Sequence, residues 1–96
     1  MGRRRLVSSR MPTISAFDGV VIRMYRSDHA PPHFHAIYSG EEATIDIHTL
    51  QISRGTLPRR ALALTLEWAA VHRTALLEDW NLCAMSEIPK TIPPLD

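Results

Sequence analysis

Residues 33–48 read HFHAIYSGEEATIDIH, and this pattern indicates the kind of fold that the chain adopts. Two runs, 33–38 and 43–48, alternate between apolar and polar side chains, and residues 39–41 between them are typical of a tight turn. Because successive side chains of a strand point to opposite faces, each run has one apolar face and one polar face. The alternation predicts antiparallel strands in a sheet with one buried side.

Two more candidate strands lie upstream, at residues 14–17 and 20–25. Asp18 and Gly19 between them form a strong turn signal, and the second run is rich in β-branched residues. Strand alternation divides this second run into two faces. One face carries Val20, Ile22 and Met24, and the other carries Val21, Arg23 and Tyr25.

Downstream, residues 56–81 predict one long helix. Thr56 can cap it, Pro58 falls in its first turn, and the remainder is rich in Leu, Ala and Glu. At about 100° per residue its apolar side chains form two stripes on nearly opposite faces, so the helix needs two partners. One partner is the sheet, and the other is the extended tail at 88–95 or a second protein chain. The second stripe, a candidate interface, consists of Leu64, Trp68, Val71 and Ala75.

These elements predict an α+β fold: a three- to four-stranded antiparallel sheet with one long C-terminal helix packed on one face. A chain of 96 residues has room for one core, so residues 11–96 form a single domain. Residues 1–10 are rich in arginine and lack an apolar pattern, and we expect them to be a disordered arm.

Composition excludes several classes of function. Four of the eleven basic residues lie in the arm, so the domain itself is net acidic, which argues against general binding to a phosphate backbone. Cys83 is the single cysteine, so no intrachain disulfide forms and a cytoplasmic location is expected. No apolar run approaches the roughly eighteen residues of a membrane span, and no membrane partner is expected.

The chemistry is concentrated in residues 28–35, which read DHAPPHFH. Imidazole titrates near neutral pH, and two adjacent prolines restrict the backbone just before the His-x-His pair. His33 and His35 lie two apart on a strand and therefore point the same way. They can act as general acid and general base without a metal, as cleavage of RNA through its own 2′-hydroxyl requires, with Asp28 and His29 beside them.

Two other interpretations of the cluster stay open. The histidines can be structural residues that bond to turn backbone. They can also bind a metal such as zinc, although the spacing fits no standard zinc signature and cysteine ligands are absent. The metal alternative uses His29, His33, His35 and His48, with Asp28 or Asp46 as further ligands.

Candidate substrate-binding residues are arginines and a tyrosine. Arg59 and Arg60 lie in the first turn of the helix, where positive charge opposes the macrodipole but suits a bound anion. Alternatively, they pair with surface carboxylates. Arg23 and Tyr25 share the histidine face if the strands pair in register, and Arg23 would then stabilise a developing negative charge.

Several runs of the chain resemble a bacterial family, the domain of unknown function 4160. The octapeptide 28–35 is specific to that family, and the resemblance extends from residue 11 to about 82. The matching runs are 11–15, 19–25, 28–35, 40–43, 57–62 and 66–69. The resemblance implies a small bacterial protein whose gene often lies beside that of a second small domain, in pairs proposed to be toxin–antitoxin modules. The resemblance implies that this chain is the toxin component of such a pair, but it implies no catalytic mechanism.

Two functional hypotheses follow. The first is a type II toxin-like protein that acts on RNA by histidine acid–base chemistry, needs no cofactor, and is neutralised by a small antitoxin-like protein that binds the second apolar stripe. The second is a non-enzymatic protein-binding module, with histidines that fix a loop or hold a metal. A homodimer through the same stripe is an alternative to a separate partner.

Overall fold

The computed structural model describes residues 12–26 and 28–96, so the predicted arm at 1–10 lies outside the described part. Five strands form one sheet in the order β1-β2-β3-β4-β5, and every neighbouring pair is antiparallel. Two helices follow, which confirms the α+β class and the antiparallel sheet. The elements are β1 (Thr13–Phe17), β2 (Val20–Arg23), β3 (His33–Tyr38), β4 (Glu41–Asp46), β5 (Ile52–Gly55), α1 (Arg59–Val71) and α2 (Arg73–Ala84).

Tight turns connect the first and third hairpins as the sequence indicates. Asp18 and Gly19 have φ values of 49° and 82°, and Ser39 and Gly40 have 48° and 85°. Two consecutive left-handed residues match the twist of the flanking strands, which explains the aspartate, serine and glycines at these positions. Both turns fix the register of their hairpins, and with it the face on which each side chain lies.

The sheet has one strand more than predicted, because β5 gives almost no signal in the sequence. Its four residues are all exposed, and only Ile52 is a large apolar residue. Strand β4 also begins earlier than predicted and ends at Asp46, where its Oδ1 accepts the backbone N–H groups of His48 and Thr49 at 2.7 and 2.9 Å. The resulting turn leads the chain back into β5.

The predicted single long helix is two helices that meet at His72. The N–H of His72 is shared between the carbonyls of Trp68 and Ala69, and its ring lies 5.5 Å from the indole of Trp68. The first helix begins at Arg59 without a side-chain cap. Thr56 does not cap it, because its hydroxyl donates to the carboxylate of Glu41 instead.

The core lies between the helices and the apolar face of the sheet. Trp68 is fully buried and packs against Phe17 and Phe34, with ring centroids 5.5 and 5.9 Å away. Cys83 is also buried, and burial raises the pKa of its thiol to about 11, so the thiol stays protonated at neutral pH.

The tail covers Trp68 of the second stripe, whereas Val71 of the same stripe is 73% exposed. The Trp68 indole N–H donates to the carbonyl of Pro93 at 2.9 Å, and the N–H of Ile92 donates to the carbonyl of Ile14 in β1 at 2.7 Å. Trp68 is therefore enclosed by its own chain and is unavailable to a partner. Neither helix combines the length and apolar character needed to cross a bilayer, in the part of the chain that the structure describes.

Candidate functional site

The octapeptide runs from the loop after β2 into β3 and borders a cleft of about 430 Å³ on the polar side of the sheet. The loop contributes one wall, and strands β3, β4 and β5 contribute the rest. The Ala30–Pro31 peptide bond in this loop is cis. The lining residues are Tyr25, Asp28, His29, Ala30, Pro31, His33, His35, Thr44, Asp46, Ser53 and Arg54.

His33 is held from both ends of its ring. Its Nδ1 lies 2.7 Å from the carbonyl oxygen of Pro31, and its Nε2 lies 2.8 Å from Oδ2 of Asp28. Both neighbours are oxygen acceptors, so only a ring that carries a hydrogen on each nitrogen donates to both.

Asp28 is the centre of the cluster. Its Oδ1 accepts the backbone N–H of His29 at 2.9 Å, and its Oδ2 faces both His33 and His35. Burial opposes ionisation of this carboxyl group, but the His29 N–H and the His33 ring outweigh it, and the pKa of Asp28 is lowered. The carboxylate is therefore charged at neutral pH.

His35 lies at the middle of the sheet, directly opposite Arg23 of β2 and Thr44 of β4. Its Nδ1 is 3.0 Å from Oε2 of Glu42, and its ring stacks on Tyr25 with centroids 4.2 Å apart. Burial, followed by the negative charge of Glu42, raises the pKa of the Tyr25 hydroxyl. The ring of His35 is thus fixed in orientation by contacts on its face and at Nδ1.

The other ring nitrogen of His35 has no such contact. Its Nε2 is buried without a hydrogen-bond partner among the described residues, and it lies 3.7 Å from Oδ2 of Asp28. Asp28, His33 and His35 each place one ligand atom within 4.8 Å of the other two, so this His/Asp cluster could hold a metal ion. The register confirms the prediction that Arg23 shares the face of the histidines.

The other predicted ligands, His29, His48 and Asp46, do not join this cluster. His29 lies at the rim of the cleft, and its side chain is 97% exposed. His48 is an exposed residue of the β4–β5 turn and does not line the cleft, because β4 ends before it. Asp46 lines the cleft, but backbone N–H groups of Thr49 and His48 occupy its Oδ1 and lower its pKa.

The structure separates the two pairs of predicted substrate-binding residues. Tyr25 lines the cleft, and Nε of Arg23 is buried without a hydrogen-bond partner in the described part of the chain. Arg59 and Arg60 do not line it. The first helix begins beside the β1–β2 turn and the Tyr38 end of β3, where Arg60 borders a separate pocket, whereas the cleft lies at the His33 end of that strand.

The sequence did not indicate several residues of the site, among them Glu42, Ser53 and Arg54. Glu42 falls next to a turn and resembles an ordinary surface acid, although it holds Nδ1 of His35. Ser53 and Arg54 belong to β5, the strand that the sequence did not indicate. Strand alternation could have indicated Glu42, because Asp46, Thr44 and Glu42 lie on the same polar face of β4.

Comparison with known proteins yields one finding. The model of a family described as "Domain of unknown function (DUF4160)" matches residues 19–81, about two thirds of the chain, and this range includes the whole octapeptide. No curated protein and no solved structure matches the chain.

Proposed function

We propose that this chain, which belongs to the DUF4160 family, is a type II toxin-like ribonuclease that uses His35 as general base and His33 as general acid. His35 takes the proton of a ribose 2′-hydroxyl while that oxygen bonds to the adjacent phosphorus. The bond from phosphorus to the 5′-oxygen of the next nucleotide breaks, and His33 gives its proton to that oxygen. The products are a 2′,3′-cyclic phosphate and a free 5′-hydroxyl.

The observation that carries this proposal is the unequal bonding of the two imidazoles. His33 faces an oxygen acceptor at each ring nitrogen, whereas Nε2 of His35 has no hydrogen-bond partner in the described structure. One ring can thus donate a proton and the other can accept one. Acid and base roles in an active site are assigned from such differences in the surroundings of neighbouring titratable groups.

Positive charge near the pair supports a phosphodiester substrate. Arg54 borders the cleft from β5, and Arg23 lies directly opposite His35 in the neighbouring strand. Either guanidinium can stabilise the extra negative charge that develops on phosphorus-bound oxygens. Because the domain outside the N-terminal arm is net acidic, we expect RNA to bind at the cleft, which Arg54 borders, rather than over the general surface.

The first experiment measures cleavage of a 5′-labelled single-stranded RNA in the presence of EDTA. His33→Ala and His35→Ala should each reduce the rate at least about a hundredfold, since each removes one proton-transfer group. His48→Ala is the matched control, because that histidine is exposed and lies outside the cleft. Equal rates in all four proteins would overturn the proposal, provided that circular dichroism shows the same fold in each.

A second candidate function is the non-enzymatic binding module. Val71, at the end of α1, is a large apolar residue of the predicted interface and is 73% exposed. Leu64 and Ala75 of the predicted interface are half-buried. Binding of the product of a neighbouring gene by a protein that does not cleave RNA, measured by co-purification and lost with Val71→Asp, would support the binding module; binding unchanged by this substitution would contradict a contact on this face.

A further inference from the structure

We infer that Asp28, His33 and His35 form a binding site for one divalent transition-metal ion, with Zn²⁺ as the test ion. We infer also that the occupied site is inactive in acid–base cleavage. The inactivity of the occupied site rests on the proposed function, whereas the metal site itself does not. Two imidazoles and one carboxylate are a donor set that such ions commonly use, and three protein ligands leave a coordination position for water.

The donor atoms converge on a common point. Nε2 of His33 and Nε2 of His35 lie 2.8 and 3.7 Å from the same oxygen, Oδ2 of Asp28. The two rings are nearly perpendicular, at 74°, with centroids 5.3 Å apart. Around a tetrahedral ion with bonds of about 2.1 Å, donor atoms lie roughly 3.4 Å from one another. The two observed nitrogen–oxygen distances, 2.8 and 3.7 Å, lie on either side of this separation. Small side-chain movements are therefore enough to admit the ion.

His33 and His35 are each held at Nδ1 in the way that is typical of histidines that bind a metal through Nε2. The Nδ1 of His33 faces the backbone carbonyl of Pro31, and the Nδ1 of His35 faces the carboxylate of Glu42. Ligating histidines characteristically donate their other N–H to a carbonyl or a carboxylate, which fixes the tautomer and directs the lone pair at the metal. Both Nε2 atoms are thereby directed towards Asp28.

The buried Nε2 of His35 points to a missing partner. Nδ1 of His35 faces the carboxylate of Glu42, and Nε2 lies 3.7 Å from the charged Oδ2 of Asp28, in a side chain only 11% exposed. At that distance Nε2 makes no hydrogen bond to the carboxylate, and it has no other hydrogen-bond partner in the described structure. A cation between Nε2 and the carboxylate supplies the partner that a buried polar atom needs.

Binding of the ion has a direct consequence for the proposed catalysis. The ion occupies Nε2 of His35, which is the proposed base, and displaces the hydrogen from Nε2 of His33, which is the proposed acid. Both atoms are then unavailable for proton transfer. Zinc is accordingly expected to inhibit cleavage at the same stoichiometry at which it binds.

The test is a competition titration of the metal-free full-length protein with Zn²⁺ and a chromophoric chelator, together with histidine-resolved NMR. We expect one ion per chain, with shifts confined to the rings of His33 and His35. Asp28→Asn and His35→Ala should lower the affinity at least tenfold. His48→Ala is the matched control and should retain it, because that histidine is exposed and lies outside the cleft. The NMR shifts of the wild-type protein remain informative if either variant misfolds.

The outcomes separate the two proposals. Absence of binding, or binding that the Asp28 and His35 variants leave unchanged, overturns the metal site and leaves the ribonuclease proposal intact. Stoichiometric binding to a protein that does not cleave RNA in EDTA supports the metal site and overturns the ribonuclease. Stoichiometric binding without inhibition of an active protein overturns the inhibitory role, and activity that depends on zinc overturns both that role and the acid–base mechanism.

Discussion

Glu42 is the residue on which the orientation of His35 depends, although beside a turn it resembles an ordinary surface acid. Its carboxylate lies 3.0 Å from Nδ1 of His35. Glu42→Gln keeps an oxygen acceptor but removes the charge, so zinc affinity should fall about tenfold to a hundredfold, as for other changes of this type. The same competition titration measures the effect. Glu41→Gln, a neighbouring exposed carboxylate that contacts Thr56, should leave the affinity unchanged; an equal loss in both variants would mean that only overall charge matters.

Asp79 is a buried carboxyl group outside the site. Its Oδ1 accepts the backbone N–H of Lys90 at 2.8 Å, and its Oδ2 has no hydrogen-bond partner among the described residues. Burial is the main cause that raises the pKa of Asp79 above 3.8. The folded chain therefore holds this proton more tightly than the unfolded chain, and the resulting stability is present below pH 3.8 and lost as the pH rises through the folded value.

Asp79→Asn should for this reason stabilise the protein at neutral pH. The amide oxygen still accepts the N–H of Lys90, and no charge is buried, so we expect a gain of about 1 kcal/mol, or a few degrees in Tm. Thermal unfolding across a pH series should show the gain shrinking towards pH 3.8 and below. Glu67→Gln on the exposed side of α1 is the control. A gain that is constant with pH would show that ionisation of Asp79 is not its cause.

At the scale of elements, the β4–β5 pairing depends on one glycine. Gly55 has φ of 78°, and a Cβ atom there would lie 2.1 Å from the carbonyl oxygen of Glu42. Gly40 has a similar φ of 85° but open space around it. The two positions therefore separate steric overlap from backbone strain.

Gly55→Ala should destabilise the fold by more than Gly40→Ala does. The Gly40 variant bears only the cost of a left-handed backbone, about 1–2 kcal/mol, whereas the Gly55 variant must also move β5 away from β4. Urea unfolding of both variants measures the difference. Equal stability of the two would contradict the close approach of β5 to Glu42.

The elements that the sequence predicted are those with a repeating pattern. Alternation revealed the strands that bury one face, and the register brought Arg23 opposite His35 as expected. Strand β5 has no alternation because it lies at an exposed edge, so burial imposes no pattern on it. The position of Arg59 and Arg60 outside the cleft depends on where the helix crosses the sheet, and tertiary packing of this kind leaves no local signal.

At the scale of the whole molecule, the tail completes the core. Ile92 is buried, and its N–H donates to the carbonyl of Ile14. The carbonyl of Pro93 accepts the indole N–H of Trp68. Ile92→Ala should cost about 2–5 kcal/mol in free energy of unfolding, as for other large-to-small changes in a core. Ile88→Ala is the matched control, because Ile88 is exposed and should change stability by no more than about 0.5 kcal/mol.

Tryptophan fluorescence provides an independent measure of the same contact. Loss of the Ile92 side chain loosens the tail over Trp68, so the emission of the folded Ile92 variant should shift towards the red as water reaches the indole. Unfolding followed by fluorescence gives the free energy in the same experiment. A variant with wild-type stability and emission would show that the tail does not cover Trp68 in solution.

The three converging donors of the cleft come from only eight consecutive residues. An unfolded chain keeps these groups close together along its contour, so it too retains affinity for zinc. A ligand stabilises a fold only by the ratio of its affinities for the folded and unfolded states. The rise in Tm on adding zinc should therefore be smaller than the rise calculated from the affinity of the folded chain alone. Denaturation should also release the ion incompletely.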